Sequence, residues 1–226
     1  MADIFNEIDE DLRRDQLKKL WDRYSTVILG LAFLIVAGVA GWRGWEYWRL
    51  QQSQAYGQQY YAAVKLSANG DHKGAEEAFR QLGAAGFSGY PVLAGLRAAG
   101  EMALAGDPAG AIKAYDDLAR QTTTPPLLAG TARARAAYLA LDIEDRAAVE
   151  ARAKALTAAN DPWRFSGREI LALAAYKAGD MEAARREFEA LTKEADVPRD
   201  FTARAEILMG LIRASASAKP AEKPAQ

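Results

Sequence analysis

The chain has 226 residues and a formal net charge of −1, from 29 Lys and Arg against 30 Asp and Glu. That balance gives no electrostatic reason to expect a nucleic-acid partner, which normally demands a basic face. There is no Cys, which excludes disulfides, thiolate metal sites and a cysteine nucleophile, and a single His, His72, argues against zinc sites and His-based catalysis.

The first predicted element is a helix over residues 1–23. Its apolar positions Ile4, Phe5, Ile8, Leu12, Leu17, Leu20 and Trp21 drift in phase around one face. Such an amphipathic segment suits a membrane surface or a docking partner, and both readings stay open. Residues 24–42, YSTVILGLAFLIVAGVAGW, carry no charge and are flanked by Arg23 and Arg43. At ~1.5 Å per residue this run spans ~28 Å, close to the ~30 Å hydrocarbon core of a bilayer. A buried core helix usually carries a polar residue every turn or two, whereas here only Ser25 and Thr26 do so, at one edge. A cleaved signal peptide has a shorter apolar region and closes on an A-x-A site, which this run lacks. The expected element is an uncleaved transmembrane helix.

Arg13, Arg14, Lys18, Lys19 and Arg23 precede the span, while only Arg43 and Arg49 follow it closely. The excess of basic residues before it predicts a cytoplasmic N-terminus, with everything after Arg43 on the far side, in a bacterium the periplasm. Gly30, Ala37, Gly41 and Gly44 form a stripe of small residues suited to close helix packing in lipid. Trp42, Trp45 and Trp48 fall at the far end, where amphipathic rings anchor a chain at headgroup level. No Pro interrupts residues 42–65, so the span is expected to continue into the next helix, with Gly57 a weak point in that continuity.

Beyond residue 47 the sequence is Ala-rich, with apolar residues at i, i+3 and i+4, which predicts helices throughout. Three segments align without gaps: GDHKGAEEAFRQL from Gly70, GDPAGAIKAYDDL from Gly106 and GDMEAARREFEAL from Gly179. Each places Ala five, an aromatic nine and Leu twelve residues after the Gly: Ala75, Phe79, Leu82; Ala111, Tyr115, Leu118; Ala184, Phe188, Leu191. Those offsets share one helical face, Gly permits a tight turn, and Asp can cap the helix that follows. The last gap is about double the first. A degenerate copy fills it, EDRAAVEARAKAL from Glu144, with Val149 and Ala153 at the small and aromatic positions. It lacks the Gly, so its turn must be built differently. Pro91, Pro126, Pro162 and Pro198 each follow a terminal Leu and are placed to open the next helix.

This unit of helix, Gly-Asp turn, helix and Pro resembles the tetratricopeptide repeat, whose period is about 34. Ala63, Ala99 and Ala172 hold the small position seven before the turn Gly, although the family's first-helix Trp and Leu-Gly are absent. The predicted fold is all-α: a transmembrane helix over 24–42, then an α-solenoid within 43–214. Its helix pairs cover about 51–83, 91–122, 126–158 and 162–194, with a capping helix at about 198–215. The Pro- and charge-rich residues 215–226 have nothing to bury and are expected to be disordered.

The opening DIFNEIDEDLRRDQLKKLWDRY, one span, an aromatic-basic collar and divergent repeats together resemble the YfgM-like ancillary translocon subunits. These are membrane-anchored repeat proteins of bacterial inner membranes. The resemblance implies a periplasmic domain beside the SecYEG channel, working with a PpiD-type chaperone to receive or hand over newly exported, unfolded chains. A membrane-anchored scaffold for another envelope complex is the alternative.

No catalytic motif is legible, so no enzyme activity, cofactor or metal is expected. His72 reads as a solvated loop residue, and Asp116 and Asp117 as solvated helix positions. Repeat stacks bind mainly through their first helices. Counting back ten from each turn Gly gives Tyr60, Leu96 and Glu169; counting back three gives Ser67, Ala103 and Tyr176. Tyr60, Leu96 and Tyr176 are the candidate partner contacts, packing between helices being the competing role. Arg97, Arg133, Arg168 and Arg204 recur after the Pro marks, either as a groove rim or as outer-surface charges.

Overall fold

The computed structural model describes residues 2–86, 88–194 and 196–218, with side chains for most of 18–214. Among the described residues every regular element is an α-helix: α1 (Ala2–Ala68), α2 (His72–Ala84), α3 (Tyr90–Leu104), α4 (Pro108–Arg120), α5 (Pro126–Ile143), α6 (Arg146–Lys154), α7 (Arg164–Lys177), α8 (Met181–Lys193) and α9 (Arg199–Ala218). The chain divides into two units between Ala55 and Tyr56, and α1 contributes residues to both. Residues 215–218, expected to be disordered, continue α9, which reaches Ala218; residues 219–226 of the expected tail lie outside the described residues.

In the first unit, α1 carries one stretch that by length and composition is sufficient to cross a membrane, and its most apolar window buries nothing. Val27, Ile28, Leu29, Leu31, Phe33, Leu34, Ile35, Val36 and Val39 are all exposed. α1 passes through Gly57 without a break. A Cβ there would stand 3.2 Å from the Tyr90 hydroxyl, so this Gly admits the neighbouring helix instead of weakening its own.

The second unit is a stack of helix pairs: the end of α1 with α2, α3 with α4, α5 with α6, and α7 with α8, followed by α9. From α2 onward each helix packs on the next, and α7 also meets both α5 and α9. The residues that defined the repeat are the core. Ala75, Phe79, Leu82, Ala111, Tyr115, Leu118, Ala184, Phe188 and Leu191 are all buried, as are Ala63, Ala99 and Ala172 facing them. Each buried aromatic contributes roughly 1.5–3 kcal/mol relative to exposure, while the small residues let the paired helices approach.

The turns explain the Gly-Asp signature. Gly70, Gly106 and Gly179 have φ of +81°, +96° and +78°, a left-handed conformation that a Cβ disfavours. The Asp that follows accepts a hydrogen bond from the amide three residues on, at 2.9 Å for Asp71, 2.8 Å for Asp107 and 3.0 Å for Asp180. The degenerate third copy keeps that cap, with Asp145 accepting from the Ala148 amide at 2.8 Å. Its turn has no left-handed residue. Glu144 and Asp145 are both extended.

Val149, Ala153 and Leu156 remain buried in this copy. α7 comes close to α6 in this copy: a Cβ on Gly167 would lie 3.0 Å from the Ala153 carbonyl oxygen. Pro126 opens α5 and Pro91 lies in the first turn of α3, whereas Pro162 and Pro198 stand just outside α7 and α9.

Candidate protein-interaction surface

Consecutive repeats are joined by polar contacts from their first helices. The Tyr60 hydroxyl of α1 accepts from Arg97 Nε of α3 at 3.2 Å. The Ser67 hydroxyl donates to Glu101 at 2.7 Å, and His72 Nδ1 lies 2.8 Å from the other Glu101 oxygen. Further along, the Tyr138 hydroxyl of α5 donates to Glu169 of α7, and Arg204 of α9 donates to the same carboxylate at 2.6 and 3.1 Å. Glu101 and Glu169 are only 4% and 3% exposed. A carboxylate that deep is stable only because each is fully partnered. Burial, reinforced by the bond to Glu169, holds the Tyr138 hydroxyl above the ordinary phenol range, and the Glu169 bond raises the Arg204 guanidinium likewise.

Two hollows open beside this ladder. One, of about 270 Å³, is lined by Gly100, Ala103 and Leu104 of α3, Tyr115 of α4, and Arg135, Tyr138 and Leu139 of α5. The second, of about 540 Å³, is lined by Tyr138, then Ser166, Glu169 and Leu173 of α7, and Phe201, Arg204 and Leu208 of α9. Tyr138 belongs to both, so the hollows adjoin and extend from α3 to α9. Apolar walls with a few fixed polar groups suit side-chain recognition. Among the described residues no group of His, Asp and Glu is arranged to hold a metal ion.

Tyr60, Leu96 and Tyr176 line neither hollow. Tyr60 is half-buried, edge-on to Phe79 at 5.2 Å between ring centroids. Leu96 is 8% exposed and belongs to the central core, while Tyr176 is half-buried against the core of α7, α8 and α9. The three sit in three separate clusters. Ala103 and Glu169, from the same counting, do line the hollows.

Arg135, Tyr138, Leu104 and Leu173, which also line the hollows, lie at neither of those offsets. A different offset finds part of the set: six before the turn position lie Gly100, Tyr138 and Leu173.

The recurring arginines share no common rim. Arg97 bonds Tyr60, Arg168 pairs with Glu194, and Arg204 with Glu169. Arg133 lies beside Asp116 and Arg152, residues of α4 and α6. Two readings are corrected. His72 is held by buried Glu101 instead of being a free loop residue. Asp116 receives two bonds from Arg152 Nη1, at 2.9 and 3.0 Å, across the second helices, while Asp117 is exposed beside Arg120.

On α1, Trp42, Trp45 and Trp48 are exposed. The Trp42 and Trp45 rings stand 5.8 Å apart, and the Arg49 guanidinium sits 5.5 Å over Trp45. A Cβ on Gly30, Gly41 or Gly44 would meet nothing within 4 Å, and Ala37 is exposed beside them.

The model of the tetratricopeptide repeat-like domain matches residues 18–144, more than half of the chain. No curated protein and no solved structure matches. The matched region stops before the third second-helix, yet the same Asp-capped helix pair recurs beyond it in α7 and α8. By that match, and by the helix pairs that bury its repeat-defining residues, the chain belongs to the tetratricopeptide repeat-like family.

Proposed function

We propose that this chain is a single-pass inner-membrane protein that presents a protein-binding repeat unit to the periplasm. Residues 1–23 would be cytoplasmic, 24–42 would span the bilayer, and 43–214 would form the periplasmic domain. One observation carries the reading. The second unit buries its repeat apolar residues, while the contiguous apolar run of α1 is left wholly uncovered. An apolar surface of that extent is a liability in water and natural in lipid, where an α-helix satisfies its own backbone. The small-residue stripe and the tryptophans then serve a helix partner and the headgroup layer.

The excess of basic residues before the span supports the orientation. The resemblance of the opening segment to YfgM-like subunits supports a place beside SecYEG with a PpiD-type chaperone, receiving newly exported chains. Tyr60, Leu96 and Tyr176 are candidate contacts on this reading. Purification of the full chain in mild detergent should bring down channel subunits or a periplasmic chaperone. Recovery of a different envelope complex instead would establish the scaffold reading. A reporter active only in the periplasm, fused after Gln226, should be active, and a silent fusion overturns the orientation.

A further inference from the structure

We infer that the hollows meeting at Tyr138 take a segment of a partner polypeptide in which an acidic side chain lies between apolar ones, and that Arg135 receives its carboxylate. The inference rests on reading the repeat unit as a protein-binding module.

The argument is one of charge and shape. A guanidinium has five N–H donors. Among the described residues, the one hydrogen bond of Arg135 is a long contact to the Tyr115 hydroxyl at 3.5 Å, and no carboxylate pairs with it. The acids of α3, α5 and α7 are already committed, whereas Asp200 on α9 acts on Arg204. Glu101 is taken by Ser67 and His72, Glu169 by Tyr138 and Arg204, and Asp142 by Lys177 at 2.8 Å. Arg97 likewise bonds a neutral Tyr60 hydroxyl. Arg135 is therefore left without an acidic partner, which favours an acidic segment over a basic one.

Apolar side chains share the Arg135 hollow and line the adjoining one. Leu104, 64% exposed, and Leu139 lie beside Arg135; Leu173, Phe201 and Leu208 lie beyond Tyr138. Gly100 keeps the guanidinium accessible, since a Cβ there would sit 3.9 Å from Arg135 Nη1 and 3.2 Å from the Tyr115 hydroxyl. A carboxylate arriving with apolar neighbours would displace water from around the pair and strengthen it.

The test measures binding of short fluorescent peptides, acetylated and amidated, to the full chain in detergent. One peptide has a central Asp flanked on both sides by Leu and Phe. A second replaces the Asp by Lys. A third is the Lys peptide with a free C-terminal carboxylate. The Asp peptide should bind about five- to tenfold more tightly than the Lys peptide. Arg135→Glu should reverse the order, and Leu104→Ser should weaken both peptides alike. Both positions are exposed, and a thermal melt verifies that each variant folds.

Equal binding of the Asp and Lys peptides overturns the inference, as does a preference that survives Arg135→Glu. Tight binding of the third peptide alone also overturns it, because the site would then grip chain ends. Binding without charge preference sinks this inference and leaves the protein-binding reading intact. A failed co-purification sinks the translocon placement and leaves this inference standing.

Discussion

Glu169 ties three helices together. Its carboxylate gathers the Tyr138 hydroxyl from α5 and Arg204 from α9 while itself belonging to α7. Glu169→Ala would leave both partners without their acceptor. Urea unfolding should show a loss of about 1–3 kcal/mol, because unpaired buried donors retain their desolvation cost. The lower end is expected, since the Arg204 side chain is 49% exposed and can rehydrate. Glu169→Gln, which keeps an acceptor oxygen, should lose less. Counting from the turn Gly locates Glu169 but not its partners, which lie 31 residues before it and 35 after. His72 makes the same point. Its chain neighbours describe a solvated turn, and a carboxylate 29 residues away decides otherwise.

At the scale of the element, the third helix pair departs most from its siblings. α6 is nine residues long, against thirteen for α2, α4 and α8. It keeps the Asp cap but replaces the aromatic with Ala153. Ala153 is fully buried, and α7 approaches α6 closely at Gly167. Ala153→Phe, which would restore the repeat pattern, should therefore destabilise the protein by about 1–3 kcal/mol or more through overpacking. Phe79→Ala at the equivalent position of the first pair should cost about 3–5 kcal/mol by leaving a cavity. Thermal melts of the two variants check this, and an Ala153→Phe protein as stable as its parent would refute the tight packing of α6 on α7. The degenerate copy was legible from its Leu156 and the doubled spacing. The tight contact with α7 was not, because it lies in the neighbouring helix.

For the whole molecule, the decisive contrast is between one unit that buries its apolar residues and one that exposes them. If lipid covers the exposed run, a charge at its centre must be expensive, by about 2.5–3.5 kcal/mol on insertion scales. Leu34→Arg should shift a substantial fraction of the protein from the carbonate-resistant membrane pellet to the supernatant. An unchanged pellet would sink the membrane reading. The sequence by itself determined the helical class, the repeat unit, its caps and turns, and the apolar span. Each of these is a local property: a periodicity within one helix, a residue that tolerates positive φ, or an uninterrupted hydrophobic run. Only the tertiary structure decided where the hollows lie, which acids are already paired, and which Arg is left with donors to spare. Those outcomes depend on faces brought together from helices about one repeat apart, where a turn without its Gly or a helix in closer contact changes the register. The spacing within each repeat carries no record of that change.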